Sequence, residues 1–112
     1  MILGDCFVQG YNNFFDSRDN NVLLVHGVVT GRGKIEGLKY LHAWIEIGDK
    51  VIDTTMSLFA KGFPKDVYYR LAQADEKEMF KYNKPKAIEK ILKYETYGPW
   101  EIELEKYIGK SK

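Results

Sequence analysis

The sequence predicts an α+β fold in which an N-terminal helix carrying a cysteine packs on a small antiparallel β-sheet, with a second helix near the C-terminus. Apolar residues recur at helical spacing in residues 5–15, β-branched and apolar residues dominate residues 22–29, and two short apolar segments flank a Gly-Asp pair in residues 41–54. A chain of 112 residues suffices for one core and is too short for two ordinary domains. Residues 1–112 are therefore predicted to form a single domain.

The first half of the chain divides into a helix, a strand and a loop. The helix is predicted from about Asp5 to Phe15, with Asp5 in position to cap its start. After a polar turn, residues 22–29 form a buried strand because they are mostly β-branched or apolar. Residues 30–37 contain three glycines, which indicates a flexible loop.

A β-hairpin is predicted from residues 41–47 and 50–54, with Gly48 and Asp49 at its tip. A two-residue turn places Ile47 opposite Lys50, Ile45 opposite Ile52 and Ala43 opposite Thr54, which gives a mostly apolar face. Side chains alternate between the two faces of a strand, so the opposite face carries His42, Trp44 and Asp53.

The remaining segments are shorter. Residues 67–73 and 78–82 are predicted to be strands around a polar turn, and Asn83 is predicted to cap a helix from about residue 84 to residue 97. Gly98 and Pro99 end that helix. The tail from residue 100 to residue 108 fits a short helix and a strand equally well.

Charge and composition exclude several classes of function. Seventeen Lys and Arg against sixteen Asp and Glu leave a net charge of +1, so there is no overall field to attract nucleic acid or an anionic membrane. The C-terminal lysines alternate with glutamates, which is typical of a solvated helix face. A single cysteine, no secretory signal and no membrane span predict a protein of the reducing cytoplasm. One cysteine and two distant histidines do not have zinc-site spacing, so no metal is expected.

Cys6 is the first candidate functional residue. If Asp5 caps the helix, Cys6 lies in the first turn, where unpaired N–H groups and the helix dipole favour a thiolate. These N–H groups could also donate to an oxyanion. The alternative is that Cys6 is a small buried hydrophobic residue, as free cysteines often are.

His42 and Asp53 are the second and third candidates, because they are diagonal neighbours on one face of the hairpin. Diagonal neighbours lie roughly 7 Å apart, a distance that two side chains can bridge with a hydrogen bond. Trp44 shares that face and is predicted to form a wall of the site and exclude water from the bond. His26 is predicted to be structural, because its strand is apolar throughout.

These residues together resemble the papain-like and transglutaminase-like cysteine peptidase superfamily, especially its minimal bacterial and phage members. The resemblance covers about residues 4–60, and its most specific part is the pairing of His42-Ala43-Trp44 with Ile52-Asp53-Thr54. It implies a thiol-dependent hydrolase or acyltransferase that uses no cofactor and acts on an amide, isopeptide or thioester bond of a peptide or protein.

By the same resemblance Cys6 is the nucleophile, His42 is the general base and then acid, and Asp53 orients the imidazole. The resemblance also implies that the helix carrying Cys6 packs against the hairpin face that holds His42 and Asp53. The chain has no glutamine upstream of Cys6, where papain relatives use one in the oxyanion hole, and Gln9 is the candidate to replace it. No large insertion shapes a cleft, so the substrate site is expected to be shallow or to be shaped by residues 31–37 acting as a lid. The alternative function is a non-catalytic binding module that uses exposed aromatic residues, among eight Tyr and two Trp, to hold a protein partner.

Overall fold

The structure is a computed structural model that describes residues 3–31, 37–54 and 61–102, with side chains from Cys6 onward. Within these ranges the chain forms three α-helices and one five-stranded sheet, which confirms the predicted α+β class. In chain order the elements are α1 (Leu3–Asp16), β1 (Leu23–Thr30), β2 (Lys39–Ile47), β3 (Lys50–Ile52), β4 (Phe63–Pro64), α2 (Lys65–Ala72), β5 (Met79–Tyr82) and α3 (Lys84–Tyr94).

The sheet has the strand order β4-β3-β2-β1-β5, and each neighbouring pair is antiparallel. β2 and β3 form the predicted hairpin, in which Ile45 pairs with Ile52 and Ile47 pairs with Lys50. Gly48 begins the two-residue turn at φ +62°, a conformation that glycine adopts without strain. β3 ends at Ile52, so the predicted pairing of Ala43 with Thr54 lies beyond the end of the ladder.

Helices cover both faces of the sheet. On one face Leu41 and Ala43 of β2 cluster with Phe7 of α1. On the other face Trp44 clusters with Tyr68 of α2. This division follows from the alternation of side chains along β2, and it means that α1 and α2 contact opposite faces of the sheet.

The segment from residue 67 to residue 73 was predicted to be a strand, and this prediction is wrong. It lies in helix α2, which follows Pro64 and ends at Gln73 in a left-handed conformation. The tyrosines and Val67 favour β-structure, but the partly buried Leu71 and Ala72 follow Tyr68 at helical spacing, so one side of the segment packs on the sheet. Packing of that apolar stripe outweighs the local preference for a strand.

The two terminal helices differ in detail from their predictions. α1 begins at Leu3, so Asp5 lies inside the helix and the prediction that it caps the start is wrong. Asn83 caps α3 as predicted, because its side chain accepts a hydrogen bond from the Lys86 N–H. α3 ends at Tyr94, before the predicted residue 97, because Glu95 adopts a left-handed conformation.

Some predictions fall outside the described residues. The predicted loop and lid at residues 30–37 are described only at their ends, and residues 103–108 of the tail are not described. Residues 100–102 of the tail form neither helix nor strand. Among the helices described, none is long and apolar enough to cross a lipid bilayer.

Candidate active site

His42 and Asp53 are joined by a hydrogen bond, as the hairpin pattern predicted. Nε2 of His42 donates to Oδ2 of Asp53 across 2.7 Å, and both side chains are about 1% exposed. His42 lies near the start of β2, and Asp53 is the first residue after β3. The even turn of the hairpin places both residues on the face that also carries Trp44.

Tyr68 is a member of this cluster that the sequence did not predict. Its hydroxyl donates a 2.8 Å hydrogen bond to Oδ2 of Asp53, the oxygen that also accepts from His42. Burial raises the pKa of Tyr68 well above its usual value, and the negative charge of Asp53 raises it further. Tyr68 therefore stays protonated at neutral pH and remains a donor to the carboxylate.

Tyr40 is a second aromatic neighbour that the sequence did not single out. Its ring lies 5.8 Å from that of His42, on the same side of β2. Burial raises its pKa, and the charges of Asp53 and Cys6 raise it further. The sequence could have indicated Tyr40, because side chains alternate along a strand and residues 40 and 42 of β2 therefore face the same side of the sheet.

Cys6 is the fourth residue of α1, and its side chain is 1% exposed. It packs with Leu41 and Ala43 on the face of the sheet opposite Trp44. The expectation that α1 packs on the face carrying His42 and Asp53 is therefore wrong. Nevertheless Cys6 lies close enough to His42 to raise the pKa of the imidazole.

The β2–β3 ladder stops before it reaches His42. β3 pairs with residues 45–47 of β2 only. The imidazole of His42 therefore lies beyond the paired part of the hairpin, next to the end of β3 where Asp53 follows. Because Nε2 is bonded to Asp53, Nδ1 is the ring nitrogen that could exchange a proton with a thiol.

The electrostatic balance favours a charged His42. Burial lowers the pKa of His42, but the hydrogen bond to Asp53, the charge of Asp53 and the nearby Cys6 raise it, to about 9. The imidazole therefore carries a proton at neutral pH. A protonated imidazole between a sulfur and a carboxylate is suited to stabilise a thiolate and to donate a proton to a leaving group.

Trp44 lies beside the cluster, as predicted. Its ring is buried, with its centroid 6.0 Å from that of His42 and 5.3 Å from that of Tyr68. Its Nε1 donates a 3.1 Å hydrogen bond to Glu46, a buried carboxylate that also accepts from Tyr69. Lys81 compensates the charge of Glu46 at 2.9 Å. These contacts hold the indole in place between the imidazole and helix α2.

Gln9 lies one turn after Cys6 on α1 and is exposed. Its Oε1 accepts a 3.3 Å hydrogen bond from the Thr54 hydroxyl, which in turn accepts a 2.6 Å hydrogen bond from Asn13. The amide oxygen is therefore oriented toward the residue that follows Asp53. Because Gln9 follows Cys6 by three residues on the same helix, it remains a candidate oxyanion donor.

His26 lies on the α1 side of the sheet in an aromatic environment. The centroids of Phe7, Tyr82 and Trp100 lie 4.9, 5.2 and 4.8 Å from that of its ring. Neither ring nitrogen has a hydrogen-bond partner in the described part of the chain, and burial lowers the pKa of His26 to about 3. A neutral, enclosed ring fits the structural role that the sequence predicted.

A pocket of about 380 Å³ opens between α2 and β5, lined by Lys65, Tyr69, Glu76, Met79 and Lys81. It does not include Cys6, His42 or Asp53, so it is separate from the cluster. Among the described residues, no three His, Cys, Asp or Glu side chains lie close enough together to bind a metal ion.

The cluster joins a sulfur, an imidazole and a carboxylate in series, a combination that can generate and stabilise a nucleophilic thiolate. The three groups come from α1, β2 and the end of β3, so their arrangement depends on the whole fold and not on one motif. Comparison with known proteins found no matching family model, curated protein or solved structure.

Proposed function

We propose that this protein is a thiol-dependent hydrolase or acyltransferase that acts on an amide, isopeptide or thioester bond. One observation carries the proposal: His42 donates to Asp53 at 2.7 Å, and Cys6 lies close enough to raise the pKa of the same imidazole. A carboxylate on one ring nitrogen selects the tautomer and orients the other nitrogen toward the thiol. This is the arrangement that a cysteine nucleophile requires.

In the proposed reaction, the protonated His42 stabilises Cys6 as a thiolate, and the thiolate attacks the acyl carbon. A carbon–sulfur bond forms, the carbonyl oxygen becomes an oxyanion, and the bond to the leaving group then breaks. The imidazolium donates its proton to the leaving amine or thiol, which leaves a thioester on Cys6. Water or an acceptor amine then attacks the thioester, loses a proton to His42 and releases the thiolate.

Two further residues have proposed roles at this site. Gln9 is the candidate side-chain donor to the oxyanion, because it lies one turn from Cys6 and its amide oxygen is already bonded to Thr54. Trp44 is a wall of the site that shields the His42–Asp53 bond from water, which strengthens that bond.

The proposed substrate is a peptide or a protein, and the proposed location is the reducing cytoplasm, where a single cysteine stays a thiol. Cys6 and His42 are each 1% exposed. Part of the surrounding structure must therefore move before an acyl group reaches the sulfur. Small activated esters are consequently the first probes to use, because they need the least movement.

The test is acetylation by p-nitrophenyl acetate, followed by release of p-nitrophenol and by mass spectrometry of the adduct. We expect a burst of p-nitrophenol and an acetyl group on Cys6. His42→Gln should slow the burst by roughly 10²-fold or more. The matched control is His26→Gln, which replaces the other buried histidine and should leave the burst rate of the folded protein near the wild-type value.

A non-catalytic binding module is the second candidate function. It is favoured by the complete burial of Cys6 and by two exposed apolar side chains on α3, Ile88 at 43% and Leu92 at 75%, one turn apart. Iodoacetamide labelling against pH distinguishes the two functions. A thiol that reacts below pH 7 supports catalysis, whereas a thiol that stays unreactive until the protein unfolds supports the binding module.

A further inference from the structure

Thr54 connects the helix that carries Cys6 to the strand end that carries Asp53. It directly follows Asp53, and its hydroxyl accepts a 2.6 Å hydrogen bond from Nδ2 of Asn13. The same hydroxyl donates a 3.3 Å hydrogen bond to Oε1 of Gln9. One side chain therefore contacts two residues of α1.

The two partners of Thr54 lie on the side of α1 that carries Cys6. Gln9 and Asn13 follow Cys6 by three and seven residues, and residues at this spacing share one face of a helix. These two hydrogen bonds join α1 to the segment that directly follows β3.

The position of α1 along its axis needs such a directional contact. The Cys6 side chain comes from one face of the sheet, and His42 and Asp53 come from the other. Apolar packing of α1 on the sheet is non-directional, so by itself it defines the position of the sulfur less sharply than a hydrogen bond does. A displacement of about 1 Å at reacting atoms can cost roughly 10²-fold in rate.

We propose that Thr54 is a positioning residue for the Cys6–His42–Asp53 site. Its hydroxyl holds α1 at the position where Cys6 meets His42, and it orients the amide of Gln9 so that the N–H groups point away from Thr54. This inference rests on the proposed function, because positioning matters for rate only if Cys6 is the nucleophile. Thr54 itself does not touch the reacting atoms.

We expect the protein to stay folded without the Thr54 hydroxyl. Thr54 is exposed, so water replaces much of what its hydrogen bonds contribute to stability. Thr54→Val removes the hydroxyl and keeps the side-chain shape, and Thr54→Ser keeps the hydroxyl. Thr30→Val is the matched control, because Thr30 lies at the end of β1 and outside the proposed site.

The experiment measures the p-nitrophenyl acetate burst rate and the pKa of His42, the latter by NMR titration of its ring protons. We expect Thr54→Val to slow the burst by roughly tenfold or more and to lower the pKa of His42, because Cys6, which raises that pKa, would lie farther from the imidazole. Thr54→Ser and Thr30→Val should both behave like wild type. Asn13→Ala should have little additional effect in the Thr54→Val background, since the two residues act through one contact.

The outcomes separate this inference from the proposed function. If wild type forms no acetyl-Cys6, the proposed function fails, and the NMR titration still tests whether Thr54 positions the cysteine helix. If wild type is acetylated and Thr54→Val matches it in burst rate and in the pKa of His42, the positioning role is wrong. An equal loss in Thr54→Ser would also overturn it, because the hydroxyl would then not be the group that matters.

Discussion

The hydroxyl of Tyr68 donates a 2.8 Å hydrogen bond to Oδ2 of Asp53, the same oxygen that accepts from His42. Asp53 is about 1% exposed, so its charge depends on such donors for stabilisation. Because Tyr68 and His42 donate to the same oxygen, the bond from Tyr68 weakens the attraction between Asp53 and the imidazolium of His42. The strength of the His42–Asp53 bond is therefore partly determined by helix α2.

Tyr68→Phe tests this relationship. The substitution removes one donor from Asp53, so the carboxylate should hold the proton on His42 more firmly and raise the pKa of His42 further. It should also lower the free energy of unfolding by about 1.5–3 kcal/mol, the usual loss for a hydrogen bond to a charged group. NMR titration of His42 and urea denaturation measure the two effects.

Tyr69→Phe is the matched control. Tyr69 lies next in sequence and donates to another buried carboxylate, that of Glu46. Loss of the Tyr69 hydroxyl should lower the free energy of unfolding by a similar amount and leave the pKa of His42 unchanged. An equal shift of that pKa in both variants would show that general loosening of α2, and not the bond to Asp53, is responsible.

The contrast between His42 and Tyr68 shows which parts of the site sequence patterns can predict. Local turn geometry determines which hairpin residues share a face, so the pairing of His42 with Asp53 follows from an even turn. Tyr68 depends on packing between distant segments. Its own segment has residues that favour β-structure, and only the apolar stripe that packs on the sheet makes it a helix.

The position of Cys6 was predicted only in part. Its place in the first turns of a helix follows from local periodicity and is confirmed. Which face of the sheet the helix covers is a tertiary property, and the face was predicted wrongly. β3 also ends before it reaches His42, and strand length is a detail that residue preferences do not determine.

Asp53→Asn should slow acylation of Cys6 far more than it destabilises the fold. An amide keeps the shape of the side chain but favours the wrong tautomer of His42, for which losses of roughly 10³–10⁴-fold are expected. Because burial lowers the pKa of His42 and the charge of Asp53 raises it, the substitution should also lower that pKa. The p-nitrophenyl acetate burst and the NMR titration measure these changes.

Asp49→Asn is the control for this variant, because Asp49 lies exposed at the tip of the same hairpin. It should match wild type in both measurements. If Asp53→Asn instead retained the wild-type burst rate, the proposed catalytic role of the carboxylate would be wrong. Asp53 would then serve only as a hydrogen-bond acceptor at the end of the strand.

The two buried histidines should give the free energy of unfolding a maximum near pH 6.5. The pKa of His26 is lowered to about 3 from an unfolded value of 6.5, so the unfolded chain binds the proton more readily, and stability is lost as the pH falls below 6.5. The pKa of His42 is raised to about 9, so the folded chain binds the proton more readily, and stability is lost as the pH rises from 6.5 to 9.

Urea denaturation between pH 4 and pH 10 tests this expectation. Each histidine contributes a slope of at most about 1.4 kcal/mol per pH unit within its window. His26→Phe should reduce the slope on the acid side and leave the alkaline side unchanged, because Phe fits an aromatic environment and does not titrate. If the acid-side loss of unfolding free energy is unchanged in His26→Phe, that loss comes from carboxylates and not from His26.

Gly27→Ala should disturb the site through Trp44. Gly27 lies in the middle of β1, where glycine is normally unfavourable, but a Cβ at this position would lie 2.7 Å from Cη2 and 3.3 Å from Cζ3 of Trp44. The indole is about 1% exposed and bonded to Glu46, so it cannot move aside freely. We expect a loss of about 1–3 kcal/mol in the free energy of unfolding, as for other overpacked cores. Because the displaced ring also contacts His42, the NMR shifts of the His42 ring protons should change.

Gly48→Ala is the control for this variant. A Cβ at Gly48 would have no atom within 4 Å, so the substitution should cost only the strain of φ +62° and leave the His42 shifts unchanged. A Gly27→Ala variant as stable as wild type would show that the indole can repack, and Trp44 would then not be a rigid wall of the site.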